Sequence, residues 1–155
     1  MDNAPFYDSG LYFSCKRCSA CCRYDSGFVY LSENDVLKLT AALEMEKNAF
    51  INKYCRWVPD WQGNEVLSLR EKNNNDCILW EDGCIVYNAR PLQCVTFPFW
   101  ESVVVSAHAW TMAASGCPGM NSGELHTKSE IDEKINKRIC DSIINKKGIE
   151  VKVKI

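Results

Sequence analysis

Apolar residues recur at helical spacing in the first half of the chain. Val36, Leu39 and Leu43 fall on one face, and Ser32 with Asp35 forms a capping box immediately before them. This pattern predicts a helix from Ser32 to about Lys47. A second short helix is expected over residues 48–56, and Pro59 ends whatever precedes it.

A longer apolar stripe lies near the C-terminus. Isoleucines recur every four residues from Ile131 to Ile143, behind a second capping box formed by Thr127 and Glu130. These features predict a C-terminal helix over residues 128–145, with Gly148 beyond its end as a C-cap.

Alternating or β-rich runs between these helices predict short strands. The expected strands or hairpins cover residues 28–31, 66–69, 77–87, 102–110 and 151–155. The combination predicts an α+β fold: a small cysteine-rich domain with short antiparallel strands, two or three helices and long ordered loops. At 155 residues the chain is expected to form one domain over residues 1–155.

Composition and charge narrow the class of protein. The net charge is −2 and no basic cluster is visible, which does not favour nucleic acid as a partner. No run approaches the roughly 20 apolar residues that span a bilayer, so no membrane association is expected. Residues 1–13 lack the pattern of a signal peptide, so we expect a cytoplasmic protein in a reducing compartment.

The cysteines carry the chemistry. The chain has ten, and four of them, Cys15, Cys18, Cys21 and Cys22, fall within eight residues. Thiolates are soft ligands that select zinc, copper(I) or iron–sulfur clusters. In a reducing compartment such a cluster indicates a metal site more often than disulfides.

The spacing of the first three cysteines matches a ferredoxin-type run. Cys15, Cys18 and Cys21 are separated by two residues each, a spacing that lets successive sulfurs converge on one centre. The fourth ligand must come from elsewhere. Cys117, which is followed at once by Pro118, and Cys94, in a proline-framed loop, are equally good candidates.

Cys22 is expected to serve a second centre, because neighbouring side chains usually diverge. With Cys77, Cys84 and either Cys94 or Cys117 it would complete a second set of four thiolates. One polynuclear cluster with spare thiols is the alternative arrangement. Cys55, near a helix end, and Cys140, beside the isoleucine stripe, are expected to be ordinary packed thiols.

Residue types other than cysteine give weaker indications of a functional site. Lys16, Arg17 and Arg23 could offset the surplus negative charge of thiolate sites, or they could be solvated loop charges. His108 and His126 are expected at the surface rather than as ligands. No nucleophilic triad, phosphate loop or carboxylate pair stands out, so the sequence leaves open whether the protein is an enzyme.

These motifs together resemble the CxxCxxCC family of zinc- or iron-chelating domains, also called YkgJ-type cysteine cluster proteins. The resemblance spans residues 13–119 and rests on the CxxCxxCC run, on the segment from Cys77 to Pro98, and on Cys117-Pro118-Gly119. It implies metal binding at the eight shared cysteines: Cys15, Cys18, Cys21, Cys22, Cys77, Cys84, Cys94 and Cys117. The chain also resembles the cysteine-rich part of flagellin lysine N-methylases, but it shows no separate methyltransferase region.

Two functions are consistent with these residues. The first is a protein that holds iron, as an iron–sulfur cluster or as polynuclear iron, with a redox role or a role accessory to a modifying enzyme. The second is a structural zinc module that binds a protein partner. Iron is slightly favoured by the ferredoxin-like spacing, and because a chain of this length can form a core without structural zinc.

Overall fold

The computed structural model describes residues 3–155, and Met1 and Asp2, which begin the predicted 1–155 domain, lie outside that range. Two short 3-10 turns cover Ala20–Cys22 and Tyr87–Ala89. The strands are β1 (Leu11–Phe13), β2 (Cys55–Pro59), β3 (Glu65–Leu69) and β4 (Met120–His126). The helices are α1 (Glu33–Leu43), α2 (Lys47–Tyr54), α3 (Leu92–Thr96), α4 (Glu101–Val104), α5 (Ala107–Ala114) and α6 (Lys128–Cys140).

The chain divides into two compact units. Unit 1 contains the residues up to Cys21, Thr96–Ile139 and Lys154–Ile155, and unit 2 contains Cys22–Val95 and Cys140–Val153. Each unit has an apolar core of its own. That the whole chain is one domain stays a prediction.

Unit 1 is built on the antiparallel pairing of β1 with β4. Leu11 lies opposite His126 and Phe13 opposite Met120, with an irregularity in the register between Tyr12 and Phe13. Phe13 packs edge-on against Phe99, with ring centroids 5.9 Å apart. The core of the unit consists of Phe99, Val104, Trp110, Met120 and Ile131.

Unit 2 is built on the antiparallel hairpin of β2 and β3. The pairing runs from Cys55 opposite Leu69 to Pro59 opposite Glu65 without a break in register. Helices α1 and α2 contribute to its main core, whose largest fully buried residues are Leu31, Leu39, Phe50, Leu67 and Leu79. A smaller cluster forms from Val58, Val66, Ile143, Val151 and Val153.

Both predicted capping boxes form. The Ser32 hydroxyl accepts a hydrogen bond from the Asp35 N–H, and the Asp35 carboxylate accepts one from the Ser32 N–H. The Glu130 carboxylate accepts hydrogen bonds from the N–H and hydroxyl of Thr127. Helix α1 ends earlier than predicted because Glu44 takes a left-handed conformation, with φ at 52°.

The predicted strand over residues 102–110 is wrong, because this segment forms the short helices α4 and α5. In a strand Val103 and Val105 would share one face, whereas here Val104 is buried and Val105 is 74% exposed. Ser106 separates the two helices and caps α5 by accepting a hydrogen bond from the N–H of Ala109.

Three other predicted elements are shorter than expected. The hairpin over 77–87 is reduced to a single bridge between Trp80 and Cys84, and residues 28–31 contribute only the bridge of Tyr30. Helix α6 ends at Cys140, because the following residues leave the helix and the Ile143 N–H donates to the Val151 carbonyl at 2.8 Å. The tail 151–155 is not a strand, although Val151 and Val153 are buried as its alternation implied.

The α+β class with short antiparallel strands is confirmed. The helices beyond the two or three expected include α4 and α5, where a strand was predicted. Within residues 3–155, no helix has the length and apolar character needed to cross a membrane.

Candidate metal centre

The eight candidate cysteines divide equally between the two units. Unit 1 holds Cys15, Cys18, Cys21 and Cys117, which we call the first thiol set. Unit 2 holds Cys22, Cys77, Cys84 and Cys94, which we call the second thiol set. The division between the units falls between the adjacent Cys21 and Cys22. No disulfide joins cysteines within residues 3–155.

Strand pairing brings the two parts of the first thiol set together. Beyond the Phe13–Met120 pair, the Ser14 N–H donates to the Gly119 carbonyl at 3.2 Å. Because the two segments run antiparallel, Cys15, which follows Ser14, is directed toward Cys117, which lies two residues before Gly119. A pairing across more than a hundred residues therefore places the cysteine loop beside Cys117.

Two glycines permit this close approach. A Cβ at Gly119 would lie 2.4 Å from the carbonyl oxygen of Ser14, and one at Gly123 would lie 2.1 Å from the Ser14 hydroxyl. Gly123 also has a φ of +82°, which few other residues adopt. Ser14 is held further by its hydroxyl, which accepts a hydrogen bond from the Glu124 N–H at 2.9 Å.

The cysteine loop itself is tightly turned. Arg17 and Ser19 both have positive φ, at 53° and 67°, and the following Ala20–Cys22 forms a 3-10 turn. The Arg17 N–H lies 3.4 Å from the Cys15 sulfur and donates to it. A backbone N–H directed at sulfur stabilises a thiolate, as in cysteine-ligated clusters.

The surroundings of Cys117 also indicate that this set is clustered. Burial raises the pKa of the Cys117 thiol, and the backbone N–H groups of Gly119 and Met120 partly oppose that rise. Negative charge on Cys18 and Cys21, when these are thiolates, raises the same pKa further. Cys117 is therefore close enough to both loop cysteines to interact with them electrostatically.

The second thiol set is joined by backbone contacts. The Cys77 N–H donates to the Cys22 carbonyl at 2.7 Å. The Trp80 N–H donates to the Cys77 carbonyl at 2.9 Å, and Trp80 in turn forms the bridge with Cys84. The segments that carry Cys22, Cys77 and Cys84 are thus neighbours, and Cys77 and Cys84 pack against the main core of unit 2.

Cys94 lies on α3, which is anchored within unit 2 by its neighbouring residues. The Gln93 amide accepts from the Tyr30 N–H at 3.0 Å and donates to the Phe28 carbonyl at 2.8 Å. The Leu92 N–H donates to the Asp35 carboxylate at 2.9 Å. These contacts hold Cys94 in the same unit as the other three members of its set.

The two sets differ in exposure. Cys15, Cys18 and Cys21 are exposed, whereas Cys117 and all four members of the second set are half-buried. The donor chemistry of both sets, four thiols each, fits zinc or iron. Within residues 3–155, no three His, Cys, Asp or Glu side chains are already arranged to hold a metal ion, so the two sets stay predictions.

The cysteines predicted to lie outside the sets are in ordinary environments. Cys55 is 2% exposed, and burial raises its pKa to about 12, so its thiol is neutral at physiological pH. Cys140 is exposed at the end of α6, so the prediction that it packs beside the isoleucine stripe is wrong. His108 is exposed on α5, as predicted. His126 was also predicted at the surface, but it is half-buried at the end of β4, with its Nε2 2.9 Å from the Phe13 carbonyl oxygen.

Sequence reasoning did not identify two acidic residues that support the second set. Asp76 binds Arg23 in an ion pair of 3.0 Å, and Glu71 accepts hydrogen bonds from Ser26 and Gly27 in the loop that follows Cys22. Burial alone would raise the pKa of Glu71, but these contacts and Arg56 hold it below its ordinary value. One signal was present in the sequence: Arg23 follows Cys22 and the oppositely charged Asp76 precedes Cys77.

The number and spacing of the cysteines indicate a metal-chelating class of protein, and the comparison with known families agrees. The family model CxxCxxCC, described as "Putative zinc- or iron-chelating domain", matches residues 14–118, more than half of the chain. The chain belongs to this family and is a metal-binding protein. No solved structure gives a significant match.

Proposed function

We propose that this chain holds iron through two separate sets of four cysteine thiolates, one in each unit. The observation that carries the proposal is the equal division of the eight candidate cysteines between the units. The first set would be Cys15, Cys18, Cys21 and Cys117, and the second would be Cys22, Cys77, Cys84 and Cys94. Four thiolates are the complete ligand set of a common iron–sulfur cluster.

Features around the first set support iron. Its loop has the ferredoxin-type spacing, and backbone N–H groups are directed at the sulfurs of Cys15 and Cys117. Hydrogen bonds to cluster sulfurs and solvent exposure are among the factors that set the reduction potential of an iron–sulfur centre. When bound, the cluster would supply one-electron redox chemistry, and the chain's own groups would hold and tune it.

The proposed role is redox: electron transfer, redox sensing or service to a modifying enzyme. A protein is the partner that we propose in each case, and a net charge of −2 does not favour nucleic acid instead. A reducing compartment such as the cytoplasm would keep the thiols available as ligands.

A structural zinc module is the second candidate. Two separate sets of four thiols also match two closed Cys₄ zinc sites. Such sites are redox-silent, and their binding energy goes into folding. The apolar cores of the two units make this structural contribution less necessary, which is why iron is preferred.

Metal identity is tested by purifying the protein without oxygen from cells supplied with both iron and zinc. Elemental analysis and a visible absorption spectrum should show iron and a coloured centre that is bleached by reduction. Colourless protein that contains zinc alone would support the zinc module instead. Protein without either metal, also after reconstitution, would contradict both candidates.

The grouping is tested with Cys94→Ser and Cys117→Ser, because these two cysteines distinguish the sets. Each variant should lose the metal of one set and keep the other, and the double variant should lose both. Cys140→Ser is the matched control and should keep the full metal content. If either single change removed all of the metal, one shared polynuclear cluster would be the better interpretation.

A further inference from the structure

Arg23 contacts the segments that carry three members of the second thiol set. It directly follows Cys22, and its Nε lies 3.0 Å from a carboxylate oxygen of Asp76, which directly precedes Cys77. The carboxylate is almost fully buried, with 5% of the Asp76 side chain exposed, and 28% of the Arg23 side chain is exposed. An ion pair with a buried partner is screened less by solvent than a surface pair.

The same guanidinium also stacks on Trp80. Its central carbon lies 3.8 Å from the centre of the Trp80 ring, within the range of a cation–π contact. The backbone N–H of Trp80 donates to the Cys77 carbonyl, and the Trp80 backbone pairs with that of Cys84 in an isolated bridge. One side chain is thereby attached to the segments of Cys22, Cys77 and Cys84.

Hydrogen bonds to Asn74 also hold Asp76 in place. Its other carboxylate oxygen accepts a hydrogen bond from the Asn74 amide at 3.1 Å, and its N–H donates to the Asn74 side-chain oxygen. Both oxygens of the carboxylate are therefore engaged. Rotation of the carboxylate away from Arg23 would therefore also break its hydrogen bond to Asn74, in the loop that leads into Cys77.

We propose that Arg23, held by Asp76 and Trp80, is a positioning residue for the second thiol set. It would fix the spacing of Cys22, Cys77 and Cys84 before metal binds, and its charge would offset part of the surplus negative charge of four thiolates around a divalent metal. This inference rests on the proposed function, because it assumes that the second set binds metal.

The test uses full-length protein in which Cys15, Cys18 and Cys21 are changed to serine, so that only the second set remains. Cobalt(II) is the probe, because its absorption bands report tetrahedral thiolate coordination. Arg23→Gln and Arg23→Lys are compared with Arg70→Gln. Arg70 is the matched control because its guanidinium also bonds within unit 2, to the carbonyls of Asn52 and Cys55, and touches no proposed ligand.

Arg23→Gln should weaken cobalt binding about tenfold or more, as removal of an outer-shell partner typically does. Arg23→Lys should recover part of this loss, because it keeps the charge but not the planar stack. The cobalt affinity of Arg70→Gln should stay within about twofold of that of its parent. Metal-free Arg23→Gln should unfold more readily than Arg70→Gln, because it leaves the buried Asp76 carboxylate without its cation. Cobalt is therefore titrated under conditions in which circular dichroism shows both metal-free variants folded, so that the difference lies in metal binding.

Two results would overturn the inference, and they are distinguishable. If both Arg23 variants bound cobalt as the Arg70 variant does, the positioning role would be wrong while metal binding by the second set stood. If the parent with Arg23 intact took up no cobalt, the second thiol set and the role of Arg23 would both be rejected.

Discussion

The backbone N–H of Cys77 donates to the carbonyl of Cys22 at 2.7 Å. This bond attaches the second member of the adjacent cysteine pair to a loop 55 residues further along the chain. Cys21, the first member, belongs to unit 1 with Cys117. Adjacent cysteines are thus assigned to different units.

The first thiol set should lose metal to a chelator sooner than the second. Three of its four cysteines are exposed, whereas all members of the second set are half-buried and two of them pack against an apolar core. Release rates can be measured with each set alone, using Cys94→Ser to retain the first and Cys117→Ser to retain the second. Faster release from the second set would contradict the assignment.

Gly119→Ala should disrupt the first thiol set. The added Cβ would meet the Ser14 carbonyl at 2.4 Å and push the cysteine loop away from Cys117. We expect the metal of this set to be lost and the free energy of unfolding to fall by about 1–3 kcal/mol, as measured by elemental analysis and denaturant titration. Gly116→Ala is the control, because its Cβ would have no neighbour closer than 3.9 Å. Equal metal content in the two variants would count against the close approach.

Asp35→Ala should destabilise the protein by about 2–3 kcal/mol, because it leaves buried N–H donors without their charged acceptor. The Asp35 side chain is 1% exposed and accepts hydrogen bonds from the N–H groups of Ser32 and Leu92. Glu33→Ala is a control on the same helix turn. It removes only an exposed ion pair with Lys47 and should cost less than about 1 kcal/mol. Denaturant unfolding of the metal-free variants gives the two losses in free energy of unfolding. Equal losses would contradict the role of Asp35.

Cys55 should make stability fall at high pH. Its pKa is about 12 in the folded state against an ordinary value of 9.0, so above pH 9 the unfolded chain releases a proton that the folded protein retains. The contribution of this proton to stability is lost as the pH rises from 9 toward 12, at up to about 1.4 kcal/mol per pH unit.

Cys55→Val isolates this effect, because every other titrating group is shared with the parent protein. The difference in unfolding free energy between the two proteins should be constant below pH 9 and should shift in favour of the variant above it. Denaturant unfolding between pH 8 and pH 11 is the measurement. Parallel curves over that range would show that burial does not shift the Cys55 thiol.

Locally encoded features were predictable from the sequence. The capping boxes at Ser32 and Thr127 formed because each depends on residues three positions apart. A strand is predicted over 102–110 because of the consecutive valines 103–105, but so short an apolar run does not distinguish a strand from a helix. The Ser106 cap of α5 was the local signal that could have decided it.

The choice between Cys94 and Cys117 could not be made from the sequence. It depends on the pairing of Phe13 with Met120, which joins residues more than a hundred positions apart, and no local pattern encodes that pairing. The proposed membership of Cys94 in the second set rests likewise on Gln93, whose amide bonds the backbone of residues 28 and 30. The type and spacing of the cysteines identified the candidate ligands, whereas the proposed division into two sets rests on tertiary structure.

The pairing of β1 with β4 also bears on biosynthesis. The four members of the second thiol set, from Cys22 to Cys94, leave the ribosome before Cys117 does, and most of the main core of unit 2 is complete by residue 89. The first set must wait for a strand that ends at His126. Because synthesis proceeds from the N-terminus, Cys15, Cys18 and Cys21 are translated first, but the set to which we assign them is completed last.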